Sequence, residues 1–355
     1  MVAPDRSIAV TASEREFFES TLLAFMAADK VDYVFMEVSS HALKLCKADA
    51  IEFDTAIFTN LSPEHLDFHK TMEDYAESKA KLFRMARQSL INGDDESAHH
   101  MESEASGKVY KYSVRPNGFV NDFYAERVIN NGLRGINYTL RSKNTIMKLS
   151  SPIPSDFTAY NTLCVAACAL LHGIAPYVIC NALSGEMGVD GRMEKIKINE
   201  NADISVFIDY AHTPDALEKL LRSVNRFKGE GQRTVLLFGC GGNRDKTKRP
   251  AMGRIASELA DLVIVTSDNS RGESADAIIS DIVGGFSENG CPYEIIIDRR
   301  EAIEFAIKNA RHSDVILLAG KGHEKYEIDS TGKKDFDEKK IVVELIEKYY
   351  SNESK

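Results

Sequence analysis

The residues best suited to chemistry lie in short polar clusters that follow apolar runs. The densest is 237–250, LFGCGGNRDKTKRP. Gly239, Gly241 and Gly242 let the backbone turn tightly and approach a ligand. Arg244, Asp245, Lys246, Lys248 and Arg249 follow at once, and Pro250 opens a helical pattern over 251–260. A glycine turn, a cationic cluster and a helix N-terminus together suit an anion. The competing reading is a solvated basic loop. No Gly-Lys-Ser/Thr closes the stretch, so it is not a Walker A loop.

Two strand-like runs end in Glu37-Val-Ser-Ser-His41 and in Thr59-Asn60-Leu-Ser-Pro-Glu-His65-Leu-Asp67. In an open α/β sheet such ends face one crevice. A hard cation such as magnesium takes oxygen ligands and keeps waters for a phosphate. Glu37 could supply an oxygen, with His65 as a further ligand. A lone histidine is more often structural, but two clusters at matched strand ends favour a site. In Asp209-Tyr-Ala-His212-Thr-Pro214, the acid could bind ribose hydroxyls and a ring could stack on a base. Thr266-Ser-Asp268-Asn269-Ser-Arg271 could read a zwitterion, with Asp for the ammonium and Arg bidentate to the carboxylate. Gly320-Lys-Gly-His323-Glu324 offers backbone access and a second ammonium acceptor. The alternative for each is a polar turn with a structural cap.

The elements that must position these groups follow from periodicity. Amphipathic spacing predicts a helix over 13–29, strands over 32–36 and 55–59, and a helix over 71–88. Residues 107–150 alternate apolar and polar and carry turn signals, which predicts a small antiparallel sheet beside an α/β domain. Helices are expected over 157–172 and 177–186. From about Gly191, strands near 204–209, 233–238, 261–265, 293–297 and 314–318 alternate with helices near 213–227, 251–260, 275–286 and 299–309, and a last helix covers 337–350. This is an α/β unit with a mostly parallel sheet. The expected domains are 1–190 and 191–355.

Bulk properties narrow the class. The chain has 355 residues, 43% hydrophobic and 28% charged, which suits two globular domains. No apolar run is long enough to span a membrane, and the N-terminus lacks a signal-peptide pattern. A net charge of −10 argues against a general nucleic-acid binder. The six cysteines form no CxxC pair, so neither a zinc site nor a disulfide framework is expected. A reducing cytoplasm fits.

Together, FGCGGNRDKTKRP, MEVSSHAL, FTNLSPEHLDFH, IDYAHTPDAL and AGKGHE closely resemble the Mur ligases, above all the branch that adds the third residue of the peptidoglycan peptide. The likeness runs from about Thr11 to the last helix. It implies a central ATPase domain with a mostly parallel sheet and a small antiparallel sheet, then a Rossmann-like ligase domain. It also implies ATP-dependent amide bond formation through an acyl phosphate, with magnesium, in a cytoplasmic monomer acting on small molecules. By resemblance Glu37, His65 and a carbamylated Lys79 are the catalytic and magnesium-binding set. Asn60, Asn161, Arg192, Asp209 and His212 correspond to ATP contacts. Thr11, Ser39 and Lys47 correspond to contacts with the UDP-muramoyl substrate. Arg244, Asp268, Asn269, Arg271, Gly320 and Glu324 match the amino-acid pocket. Arg271 favours meso-diaminopimelate, whose distal centre carries a carboxylate, over L-lysine.

The chain departs from the family pattern in places. Ser270 replaces a proline, Lys47 an arginine, Glu64 an aspartate, and Ser155–Thr158 a Gly-x-Phe-Asn. The family's UDP-binding domain and its Gly-Thr-x-Gly-Lys-Thr loop have no counterpart in these residues. A shortened ligase with little activity alone is therefore expected. The alternatives are the lysine-adding ligase, a sister ligase such as folylpolyglutamate synthase or cyanophycin synthetase, and a ligase-like binding protein that has lost catalysis.

Overall fold

The computed structural model describes residues 31–49, 51–62, 66–115, 121–185, 188–198 and 202–350, together with the backbone of 6–10. By contacts the chain falls into two compact units. One comprises 1–129, 137–150 and 157–184; the other comprises 130–136, 151–156 and 185–355. Thr11, His65 and the expected helix over 13–29 lie outside the described residues.

One eight-stranded sheet has the order β2-β1-β3-β4-β5-β6-β7-β8. Its strands are β1 (Arg6–Val10), β2 (Tyr33–Glu37), β3 (Phe53–Phe58), β4 (Ala86–Asn92), β5 (Lys108–Ser113), β6 (Phe123–Asn130), β7 (Ile136–Ser142) and β8 (Ile146–Ser151). From β2 through β6 every neighbouring pair is parallel. The strands of 107–150 are therefore not a separate sheet but part of the same one: β5 and β6 join it in parallel, and the short turns after β6 and β7 make β6, β7 and β8 antiparallel neighbours, as the alternation suggested. Alternation identifies a strand but does not name its partner. In β3 four consecutive residues, Thr55–Phe58, are buried, as a strand covered on both faces requires. Phe53, Phe58, Leu82, Phe83, Ile91 and Met101 form the core.

The helix Met72–Arg84 starts where Thr71 Oγ1 accepts from the Asp74 N–H at 3.2 Å. The periodicity predicts a helix as far as Gln88, yet the chain enters β4 at Ala86. β4 lies between β3 and β5, and pairing on both edges overrides the helical preference of Ala-Arg-Gln. The helix Ala98–Glu104 was likewise not signalled by the pattern.

The second sheet has the order β13-β12-β11-β14-β10-β9. Its strands are β9 (Glu194–Lys195), β10 (Ser205–Asp209), β11 (Thr234–Phe238), β12 (Leu262–Val265), β13 (Tyr293–Ile295) and β14 (Val315–Ala319). All pairs are parallel except β9 with β10. A two-stranded antiparallel ribbon, β15 (Tyr326–Asp329) with β16 (Gly332–Asp335), follows. Both faces of the sheet are covered. Leu236 and Phe238 pack with Leu221, Met252 and Ile282, whereas Val235 and Leu237 pack with Ile303, Ile307 and Leu345. Among the described residues no helix is long and apolar enough to cross a membrane.

The connections decide where a site can form. β10 and β11 are consecutive in the chain, yet β14 lies between them. The direction of travel across the sheet thus reverses at β14, the place where open α/β sheets leave a crevice. The loops after β10, β11, β12 and β14 all leave the same C-terminal edge.

Candidate active site

Three of those four loops interlock. Gly242 N–H donates to the Asn269 carbonyl at 2.9 Å, joining the loop after β11 to that after β12. Arg271 Nη1 donates to the carbonyls of Gly242 at 3.0 Å and Asn269 at 3.1 Å. A Cβ on Gly241 would come within 2.9 Å of that same Nη1, so the glycine makes room for the guanidinium. Arg271 holds φ +52°, a left-handed conformation that non-glycine residues seldom take. Its Nε and Nη2 have no partner among the described residues. Arg244 is exposed and likewise has none there.

Beneath this surface lies a charge network. Lys321 is fully buried, and its ammonium reaches Tyr326 O at 2.9 Å, Asn269 Oδ1 at 3.2 Å and Asp268 Oδ1 at 3.4 Å. Asn269 Nδ2 donates to Glu324 Oε2 at 2.7 Å. Gly320 has φ +111°, and a Cβ there would sit 3.0 Å from Asp268 Oδ2. Arg299, also buried, donates to Glu338 at 2.7 Å and to the carbonyls of Ser267 at 3.1 Å and Ala319 at 2.9 Å. It therefore ties the ends of β12 and β14 together. Burial pushes the Glu338 carboxyl above its ordinary range.

The basic cluster corrects one expectation. Arg249 is fully buried and bonded to Glu273, Asp281 and the Gly241 carbonyl, so it braces the glycine loop from behind. Lys246 pairs with Glu273 at 3.1 Å, and Lys248 donates to His212 O at 2.7 Å. Of the cluster's cations, Arg244 alone has no partner among the described residues. The helix itself begins at Lys248, with Pro250 still in its first turn.

The loop after β10 presents rings. Tyr210 has His212 at 4.6 Å, His323 at 5.3 Å and the Arg192 guanidinium at 5.0 Å. Such a cluster can stack on a planar base. Asp209 accepts from the N–H groups of Met193 at 2.7 Å and Ala211 at 2.8 Å. Burial raises its carboxyl against those hydrogen bonds. Part of its acceptor capacity thus holds the chain rather than waiting for a ligand. His212 is exposed, with Nδ1 2.9 Å from Tyr210 O.

In the other unit, Glu37 is exposed at the end of β2, in register with Val10 of β1. Asn60 is exposed just past β3, and Asn161 is exposed on the helix Thr158–Leu171. Ser39 caps the helix Ser40–Lys44, its Oγ accepting from the Ala42 N–H at 3.1 Å. Lys47 is exposed. Lys79 is buried, 6% exposed, with Nζ 5.3 Å from the Tyr75 ring centre. Among the described residues no three acidic, histidine or cysteine side chains gather as a metal set. Of the proposed ligands, Glu37 and Lys79 are described and His65 is not.

Lys321, Arg299, Glu338, Arg249 and Glu273 are the residues that reading the sequence missed as organisers. One signal was present. Arg299 and Arg300 open a helix behind the cap Asp298, where the helix dipole disfavours cations, so a tertiary partner is implied.

Residues 16–169 match the model of the Mur ligase middle domain, and 191–322 that of the Mur ligase, glutamate ligase domain. A relative from Caldanaerobacter subterraneus subsp. tengcongensis is 42% identical over 96% of this chain and 70% of its own length. The chain belongs to the Mur ligase family. That relative is named UDP-N-acetylmuramoyl-L-alanyl-D-glutamate--2,6-diaminopimelate ligase. A Clostridium tetani protein of the same name is 41% identical, covering 98% of this Mur ligase and 70% of the relative. A solved structure with that name is 28% identical, covers 99% of this chain and 80% of its own, and has a TM-score of 0.68. The folylpolyglutamate synthase of Thermotoga maritima shares the fold at 21% identity, with a TM-score of 0.66 and coverage of 85% and 67%.

Proposed function

We propose that this Mur ligase adds meso-diaminopimelate to UDP-N-acetylmuramoyl-L-alanyl-D-glutamate at the expense of ATP, in the cytoplasmic synthesis of peptidoglycan precursors. The D-glutamyl carboxylate takes the γ-phosphate of ATP and becomes an acyl phosphate. The amine of diaminopimelate attacks that carbonyl, and the tetrahedral intermediate expels phosphate as the amide forms. The protein's part is positioning and charge stabilisation. Glu37, His65 and a carbamylated Lys79 would hold magnesium, which supplies charge neutralisation to the phosphates. Asn60, Asn161, Arg192, Asp209 and His212 contact the nucleotide, and Thr11, Ser39 and Lys47 the UDP-muramoyl substrate. Arg244, Asp268, Asn269, Arg271, Gly320 and Glu324 form the amino-acid pocket. The domains are assigned as 1–190 for ATP and 191–355 for the incoming amino acid.

One observation carries the choice of amino acid. Arg271 is anchored by Nη1 to two carbonyls, while its Nε and Nη2 find no partner among the described residues. That leaves a fork edge suited to a carboxylate. Diaminopimelate has a carboxylate at both ends, whereas lysine would leave this guanidinium unanswered. Calorimetric titration should therefore show meso-diaminopimelate binding at least about tenfold more tightly than L-lysine. Equal affinity, or a preference for lysine, would contradict the assignment.

A further inference from the structure

We propose that Lys321 is a positioning residue that sets the orientation of the Asn269 amide and, through it, aims the Glu324 carboxylate at the incoming amino acid. This rests on the pocket assignment above. Burying an ammonium is expensive, and a methionine would fill similar space without that cost. The three acceptors around Lys321 show what the charge does. Asn269 Oδ1 receives the Lys321 ammonium at 3.2 Å and the Ile328 N–H at 2.9 Å. Two donors converge on one atom, so that atom must be the oxygen. Reversing the amide would set an NH2 group against an ammonium and an N–H. The Asn269 NH2 is thereby committed to Glu324 Oε2, at 2.7 Å. One carboxylate oxygen is held, and Oε1 remains to accept from an ammonium.

The same cation acts on the neighbouring acid. Asp268 Oδ1 takes the Asn269 N–H at 2.6 Å and lies 3.4 Å from Lys321. Oδ2 is left facing Gly320, where a Cβ would come within 3.0 Å. Lys321 has no room to be a ligand itself: it is fully buried, with Tyr326 O and the Phe336 ring on its far sides. It works through its neighbours.

The test compares wild type, Lys321→Met, Glu324→Gln and the double variant, all in the full chain. Calorimetry with meso-diaminopimelate should show Lys321→Met binding about tenfold more weakly. In the Glu324→Gln background the same substitution should cost at least about fivefold less, because the group it aims has gone. Additive losses overturn the proposal, since a merely structural lysine would weaken both backgrounds alike. A readout without ligand is the Asn269 side-chain amide signal in 15N–1H NMR. It should move in Lys321→Met, and an unchanged signal overturns the proposal even if wild type does not prefer diaminopimelate. The latter result would sink only the functional reading. Should Lys321→Met fail to fold, Asn269→Asp keeps an acceptor for Lys321 but turns an oxygen towards Glu324. Its affinity should fall by about tenfold, and undiminished affinity overturns the idea.

Discussion

Glu273 shows how a single residue braces the glycine loop through several partners at once. It accepts from Arg249, from the Asn243 N–H and from Lys246, and these hold its carboxyl down to about 2. A carboxyl depressed in the folded state stabilises the protein above the unfolded carboxylate range, and that contribution is lost as pH falls towards the folded value. Glu273→Gln should therefore melt at a lower temperature than wild type at pH 7. The gap should narrow between about pH 5 and about pH 3. Thermal denaturation across that range checks it, and a constant gap would mean that the charge is not what matters. Arg271 belongs at this scale too. Its three residues of context, Asp268-Asn269-Ser270, suggest a zwitterion site, but the guanidinium is held by the Gly242 carbonyl, 29 positions away, as well as by the nearby Asn269 carbonyl.

At the scale of elements, the site depends on how helices and strands begin and end. The helix Pro214–Phe227 starts directly behind the Tyr210–His212 rings. Thr213 Oγ1 accepts from the Ala216 N–H at 3.3 Å, and Pro214 fills the first turn. The amphipathic face, with Leu217, Leu220, Leu221 and Val224, packs on the sheet. Thr213→Ala should cost about 1 kcal/mol in urea denaturation, the usual worth of a cap. A loss well under that figure would show that packing alone fixes the helix start. The glycine loop after β11 follows the same logic. It is braced by Arg249 below and by the Asn269 carbonyl beside it, so its shape is set before any ligand arrives.

At the scale of the whole molecule, each unit has its own apolar core, and the cysteines sample both. Cys164, Cys168 and Cys240 are buried, and burial pushes each thiol up to about 12. Cys46 is exposed. Thiol labelling of the native protein near pH 8 should thus modify Cys46 first, and these three only on unfolding. Rapid modification of Cys240 would mean that the glycine loop opens readily. The alternating rhythm of buried strands and amphipathic helices from 204 onward was enough to declare an α/β architecture, because period 2 and period 3.6 are local properties. The polar clusters at strand ends could be read for the same reason: Asp268, Asn269 and Arg271 stand within four residues of one another. Pairing could not be read. The first residues of β4, 86–88, looked helical, and 107–150 looked like a sheet of its own rather than the far side of a larger one, because a strand's partner is chosen by the whole layer. Nor could the buried cations be told from solvated ones. Arg249 meets Glu273 and Asp281 at separations of 24 and 32 residues, and Arg299 meets Glu338 at 39. Which charges stay exposed and which hold the loops still is settled only when the strands bring those distant carboxylates together.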